Sequence, residues 1–317
     1  MLSRTAENLY WMARYLERAE TMARLIEVGA RMHLMPDTAD GYRSEWESIL
    51  HASGTAEGFD RKYGEAVERN IVSYLFFDRE NPSSVASCLS SARENARIVR
   101  TALTLPVWDA LNSAYQELKQ IQRTPRSELE IGDLTEWTNK QTALVQGTMA
   151  ATLLRNDGYD FLNIGFHLER ADKTARLRDV KYYVLLPDAD YVGSGLDNYQ
   201  WMTLLRAMQM HRSFHHAYGG EITPRKIVDL LILNPACPRS LHTAVQGATD
   251  HLHRLSRSYG STTEAQTKVR GLLGELAETQ VSDIFDEGLH EFLERFVGDV
   301  AAVGSEVSRT YLGGSRA

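Results

Sequence analysis

A ten-residue charged window occurs twice in the chain: LERAETMARL at Leu16–Leu25 and LERADKTARL at Leu168–Leu177, 152 residues further on. The two copies share seven of ten residues. Ala, Leu, Glu and Arg are common in helices, so identity alone is weak. The charges carry more weight. At one fixed offset Glu17, Glu20, Arg24 and Glu27 fall on Glu169, Asp172, Arg176 and Asp179, and Val28 falls on Val180. This pattern is read as an internal duplication, with halves of about 1–156 and 157–317 in a single 317-residue domain.

At about 100° per residue, Leu9, Met12, Ala13, Leu16, Ala19 and Ala23 form one apolar stripe. Phe161, Ile164, Gly165, Leu168, Ala171 and Ala175 form the matching one. Glu20 and Asp172 lie inside these stripes; Glu17, Arg24, Glu169 and Arg176 lie at the edges. A carboxylate on a core-facing stripe is costly unless paired, and Glu20–Arg24 and Asp172–Arg176 have the i,i+4 spacing that permits pairing. Two readings follow. The charges are buried staples that set helix register, or the two helices meet and aim them into one pocket. In the second case Glu17 and Glu169 are the candidate catalytic acid/base pair, at a site whose ligand meets Glu20, Arg24, Asp172 and Arg176 as well.

Nearly every long segment has helical periodicity, and alternation typical of strands is absent, so the expected class is all-α, a multi-helix bundle. The expected helices run from Ser3 to about His33, stopped by Pro36 and Asp37, then about Gly41–His51, Asp60–Phe77, Ser84–Leu103, Pro106–Gln120 and Thr135–Leu154. The second charged window continues to about Leu186. Residues 187–197, with Gly193 and Gly195, form the expected hinge. Helices near Tyr199–His216, Pro224–Leu233, Pro238–Tyr259, Thr262–Gln280 and Phe285–Thr310 follow.

The net charge of −7 argues against a general nucleic-acid binder. No apolar run approaches the roughly 18 residues of a membrane span, and the first residues lack a signal-peptide pattern, so a cytoplasmic location is expected. Cys88 and Cys237 fit no metal-ligand spacing. His211 and His215 are four apart, but a single E-x-x-H pair, Glu287 and His290, falls short of a di-iron bundle and the H-E-x-x-H pattern is absent, so no metal and no cofactor are expected. Walker, dinucleotide-binding, nucleophile-elbow and kinase signatures are missing. One helical face places Arg93, Arg97 and Arg100 together, a candidate clamp for a phosphate or carboxylate or else a solvated face. Arg239 and Ser240, after Pro238, form a second candidate anion contact at a helix start.

The segments AENLYWMARYLERAE (Ala6–Glu20), DRENPSSVASCLSSARENARIVR (Asp78–Arg100), VWDALN (Val107–Asn112), FLNIGFHLERADKTARLRDV (Phe161–Val180) and LLILNPACPRSL (Leu230–Leu241) resemble the bacterial alpha-E domain family. These all-helical proteins are named for glutamates in their helices. The resemblance implies partnership with a circularly permuted ATP-grasp amidoligase and a transglutaminase-like peptidase. It points to a substrate-presenting role in making or modifying a small peptide or amide-linked metabolite, with an enzyme in its own right as the alternative. The family's charges carry over onto Glu17, Arg18, Glu20 and Arg24, and onto Glu169, Arg170, Asp172 and Arg176. Two departures stand out: TALTLP follows Arg100 where relatives are more polar, and Asp172 is one methylene shorter than Glu20.

Overall fold

A computed structural model describes residues 1–33, 45–185 and 195–313, with side chains described for these except 45, 177–185 and 195–199. Among the described residues all regular structure is helical. The α-helices are α1 (Ser3–His33), α2 (Glu45–Ser53), α3 (Ala56–Asp60), α4 (Glu68–Val72), α5 (Val85–Ile98), α6 (Leu105–Ile121), α7 (Ile131–Thr152) and α8 (Asp157–Leu185). They continue as α9 (Gly195–Ala207), α10 (His211–Tyr218), α11 (Pro224–Val228), α12 (Leu241–Tyr259), α13 (Glu264–Glu278), α14 (Val281–Glu287) and α15 (Leu289–Tyr311).

The centre is the crossing of α1 and α8. Both carry polar and apolar residues all round, and both are enclosed: every residue of the two apolar stripes except Gly165 is counted in the buried core. The helices approach so closely that a Cβ on Gly165 would lie 2.3 Å from the Tyr10 carbonyl oxygen. Glycine is needed here for contact, not for a turn. On α1 pack α5 and α7, with α6 against both; on α8 pack α12 and α15, with α13 against both, and each set has its own apolar core. The outer helices bury one face each, as with Leu241, Val245, Ala248, Leu252 and Leu255 of α12. The short helices cross over: α2 packs on α8, and α9 packs on α1.

One local succession occurs twice, 156 residues apart. A short helix, α4 or α11, runs directly into a π-helical turn at Ser73–Phe77 or Asp229–Leu233. A looped turn then leads to an N-cap serine and the next long helix. Ser84 accepts from the Ser87 amide at 3.1 Å, and Ser240 from the Thr243 amide at 3.0 Å.

Several expected helices are shorter than the periodicity suggests. Asp60–Phe77 is interrupted at 61–67, where Lys62 and Tyr63 turn toward Asp78, at 3.0 and 3.1 Å. The helix ending near Leu103 stops at Ile98 and closes with a 3-10 turn ahead of Pro106. Tyr199–His216 breaks at Gln209, whose φ of 58° cannot continue a right-handed helix. Gly288, at φ 99°, divides the expected Phe285–Thr310 helix into α14 and α15. The stop at Pro36 and Asp37, most of the hinge at 187–197 and the side chain of Asp179 lie outside the described residues.

Gly165→Ala is expected to lower the unfolding free energy by about 1–3 kcal/mol, because the methyl group is forced against backbone. Gly147→Ala, on α7 with open space around it, is expected to raise it by about 0.5–1 kcal/mol. Urea unfolding of the two variants checks both signs.

Candidate functional site

The charged windows meet at the α1–α8 crossing and exchange partners. Arg18 Nε donates to Glu169 Oε1 at 2.6 Å and its Nη2 to Oε2 at 3.1 Å. Reciprocally, Arg170 Nε donates to Glu17 Oε1 at 2.9 Å and Nη2 to Oε2 at 3.0 Å. Two Glu-Arg dipeptides thus form two bidentate pairs, each between the helices. Arg14 adds a 2.6 Å bond from Nε to Glu169 Oε2. Gln146 of α7 donates to Glu17 Oε2 at 3.4 Å.

One turn further along α1, Glu20 Oε1 accepts from Arg24 Nε and Nη2, at 3.1 and 2.6 Å, and from Arg239 Nη2. Arg24 Nη1 also donates to the Ala207 carbonyl at the end of α9, at 2.6 Å, and so fills a helix C-terminus that lacks an amide partner. On the α8 side Asp172 is held by Lys173 and Arg176, at 3.0 and 3.1 Å. The crossing thus gathers three clusters: Arg14 and Arg18 on Glu169, Arg24, Arg170 and Arg239 on Glu17 and Glu20, and Lys173 and Arg176 on Asp172.

Burial opposes the charge on both Glu169 and Glu20, and the arginines outweigh it. Arg18 and Arg14, with Lys173, hold Glu169 far below the usual carboxylate range. Arg239, Arg24 and Arg170 hold Glu20 down to about 2. Arg239 is pushed below its ordinary value by burial, with Arg24 and Arg170 adding repulsion that Glu20 only partly offsets. Beside the network, burial, together with Arg170 and His251, pushes His167 down to about 3.

This geometry revises the acid/base assignment. Glu169 is fully buried, both its oxygens are taken by arginines, and it remains an anion at any working pH. Glu17 is equally enclosed, with both oxygens facing Arg170. Neither stands at an edge open to a substrate. Glu20, inside the stripe, and Arg24, at its edge, instead border a cavity of about 940 Å³ between α1 and α7. Asp172 and Arg176 are on the other side of the crossing. There Arg176 borders a separate recess of about 340 Å³, walled by Leu293 and Val297 of α15.

The arginine face of α5 is not part of either cavity. Arg93 lies over the rings of Tyr115 and Trp108, at 4.6 and 5.5 Å, and donates to Asn112 at 2.9 Å. Arg100 covers Trp108 at 5.1 Å, and Arg97 pairs with Glu94 at 2.6 Å. Arg93 and Arg100 brace this segment against α6 while Arg97 stays on its own helix, and the three do not converge as a clamp. Glu287 is engaged by Arg295 and His290 by Glu294, and among the described residues no group of three or more potential ligands is placed to hold a metal.

The large cavity also draws on residues that the charged windows do not contain. Arg239, which precedes α12, joins Glu20 on its floor, and Gln209, with its left-handed backbone, borders it. The α7 wall presents Asp133, Glu136, Asn139, Lys140, Ala143 and Gln146. Asn139 Oδ1 is shielded from solvent and has no hydrogen-bond partner among the described residues. Their spacing of three and four along one face is a signal present in the sequence.

The molecule is thus an all-α protein whose two longest helices are locked by exchanged Glu-Arg pairs. Residues 1–312 match the profile of the Alpha-E family, described as a predicted alpha-helical domain with a conserved ER motif, and the chain belongs to that family. It is 24% identical over 332 residues to uncharacterised proteins of Mycobacterium bovis and Mycobacterium tuberculosis. The match covers 98% of this chain and 37% of those relatives. No solved structure shows significant similarity to it.

Removing the charge of the fully buried Glu169 strands the two partly buried guanidiniums around it, so Glu169→Gln is expected to cost roughly 3–5 kcal/mol in denaturant unfolding. Arg97→Ala, at an exposed pair, should leave stability within error. A pH series with the His167→Gln variant separates His167 from His211 and His242, which burial also holds below the ordinary value. Because the folded pKa of His167 is depressed, the unfolded chain takes up a proton below about 6.5 while the fold refuses it. Stability is therefore expected to fall as pH drops from 6.5 toward 3, by up to about 1.4 kcal/mol per pH unit. The contribution of Glu20 is present above 4.5 and is lost only as pH falls through about 2. His167→Gln should remove most of the slope between pH 6.5 and 4.5; an unchanged slope would move the effect to another group.

Proposed function

We propose that the chain is a helical accessory protein that holds a small polar ligand in the α1–α7 cavity and presents it to a partner enzyme. The partner in this reading is an ATP-grasp amidoligase, with a transglutaminase-like peptidase acting on the same small peptide or amide-linked metabolite. The observation that carries the reading is the cavity itself. Its volume of about 940 Å³ suits a small-molecule ligand, and its floor is a buried ion cluster that a purely structural staple would have no reason to leave open. The reciprocal Glu17 and Glu169 pairs supply the rigid base that such a site needs. The curated relatives, in which this chain's match spans only 37% of the length, support a role beside further protein segments.

The test uses the amidoligase from the same genome, assayed for ATP-dependent phosphate release with a panel of amino acids as acceptors. Adding the chain is expected to raise turnover several-fold. Ala143→Trp places a large ring on the exposed α7 wall of the cavity and should abolish the stimulation while circular dichroism and Tm stay those of wild type. Stimulation that survives Ala143→Trp would exclude the cavity as the presenting site. Absence of both stimulation and co-purification with either partner class would sink the reading.

A further inference from the structure

The α2–α3 and α9–α10 segments are two copies of one helical corner. Trp46, Ile49, Leu50, Ala52, Phe59 and Tyr63 are matched 155 residues later by Trp201, Leu204, Leu205, Ala207, Phe214 and Tyr218. In each copy the last two rings pack together, with centroids 5.1 Å apart for Phe59 and Tyr63 and 5.4 Å for Phe214 and Tyr218. Between the tryptophan helix and the ring pair the backbone makes the same left-handed turn, at Gly54 with φ 71° and at Gln209 with φ 58°. Each turn residue donates its amide to the carbonyl three residues back, His51 or Arg206, at 2.9 Å. In the second copy the Met210 amide closes the helix end on the Leu205 carbonyl at 2.7 Å, a cap whose left-handed residue is most often glycine.

Glycine is the unstrained choice at both turns, yet only the first copy uses it. Among the described residues Gln209 alone has a positive φ without being glycine. A Cβ in this conformation crowds the following carbonyl oxygen, so Gln209 weakens its own turn. Crowding does not explain why the copies differ, since a Cβ on Gly54 would meet nothing closer than Arg176 Nη1 at 3.9 Å. Nor does the chain recover a hydrogen bond, because the Gln209 carboxamide has no partner among the described residues. What Gln209 borders is the α1–α7 cavity, which it shares with Glu20, Arg24 and Arg239. Arg24 Nη1 fixes its place there by holding the Ala207 carbonyl two residues before it. Backbone strain kept at the wall of a cavity is a mark of a functional position.

Resting on the reading that this cavity is the ligand site, we infer that Gln209 is a specificity-determining residue whose carboxamide pairs with an amide group of the ligand. A carboxamide is uncharged and both donates and accepts, and an amide presents the complementary acceptor and donor side by side. Asn139 of α7 lines the same cavity with its Oδ1 also unpaired, so two carboxamides are left for a ligand. The Gly54 copy of the corner has no side chain to offer at this place.

Two measurements on the full chain test this: thermal unfolding, and stimulation of the amidoligase with glutamine, asparagine and their isosteric acids, glutamate and aspartate, as acceptors. Gln209→Gly relaxes the turn and is expected to raise Tm by about 1–3 °C, whereas Gln209→Ala keeps the Cβ and should leave Tm unchanged. With the wild-type chain the amides are expected to reach half-maximal stimulation at a concentration at least fivefold lower than the acids. Both Gln209 variants should erase that preference while co-purification with the amidoligase stays as in wild type. Gly54→Gln should lower Tm by a similar amount and keep the preference. A Tm of Gln209→Gly at or below wild type would overturn the inference, and so would loss of co-purification, which would make Gln209 a contact to the partner. Stimulation that Ala143→Trp abolishes, but with no preference for amides or with a preference that both Gln209 variants retain, would overturn the role of Gln209 and leave the cavity as the ligand site. Absence of stimulation with every acceptor would sink the reading and this inference together.

Discussion

The rest of the structure depends on one exchange of ions: Glu17 with Arg170, and Glu169 with Arg18. Each helix contributes an anion and a cation next to each other in sequence, and each receives the opposite pair. A slide of one residue along either helix would turn these side chains away from one another, since neighbouring positions differ by about 100°. The register of α1 on α8 is thus specified by charge as well as by shape, a role for which buried ionic groups are well suited. The close seat at Gly165 beneath Tyr10 belongs to the same register.

With one face of α1 committed to α8, the positions one turn on are left for other work. Glu20 and Arg24 face a space that α7 does not fill, and Arg239 enters it from the start of α12. The residue at the same place in the earlier succession is Ser83, with no guanidinium to offer. On the α8 side Lys173 takes up Asp172 locally, and Leu293 and Val297 narrow the recess. Two similar helices therefore produce unlike surroundings, and the difference comes from what the outer helices bring.

The helical class, the apolar stripes and the charged windows were all legible because each is a local pattern with a fixed period. Leu9, Met12, Ala13, Leu16, Ala19 and Ala23 are all buried as their spacing implies. Position within the stripe misled about exposure. Glu17 and Glu169, at the edges, are the more deeply spent pair because an edge position on α1 faces an edge position on α8. Contacts at long range had no local signal: Arg239 reaches Glu20 across 219 residues, and Arg14 reaches Glu169 across 155. The polar face of α7 was visible as spacing, but nothing local said what it would face. The second succession was hidden for a different reason. Its offset is 156 residues, against 152 for the charged windows, so a single alignment register cannot show both.

The crossed short helices have a consequence for how the molecule comes apart. α2 follows α1 in the chain but also packs on α8, and α9, which follows α8, packs on α1 and accepts a bond from Arg24. Each central helix is thus enclosed partly by its own neighbours in sequence and partly by those of the other. Peeling away either group of helices would strip cover from the group left behind and expose its buried arginines. Although chains of this length often lose structure in stages, this interleaving ties the two cores into one cooperative melting unit.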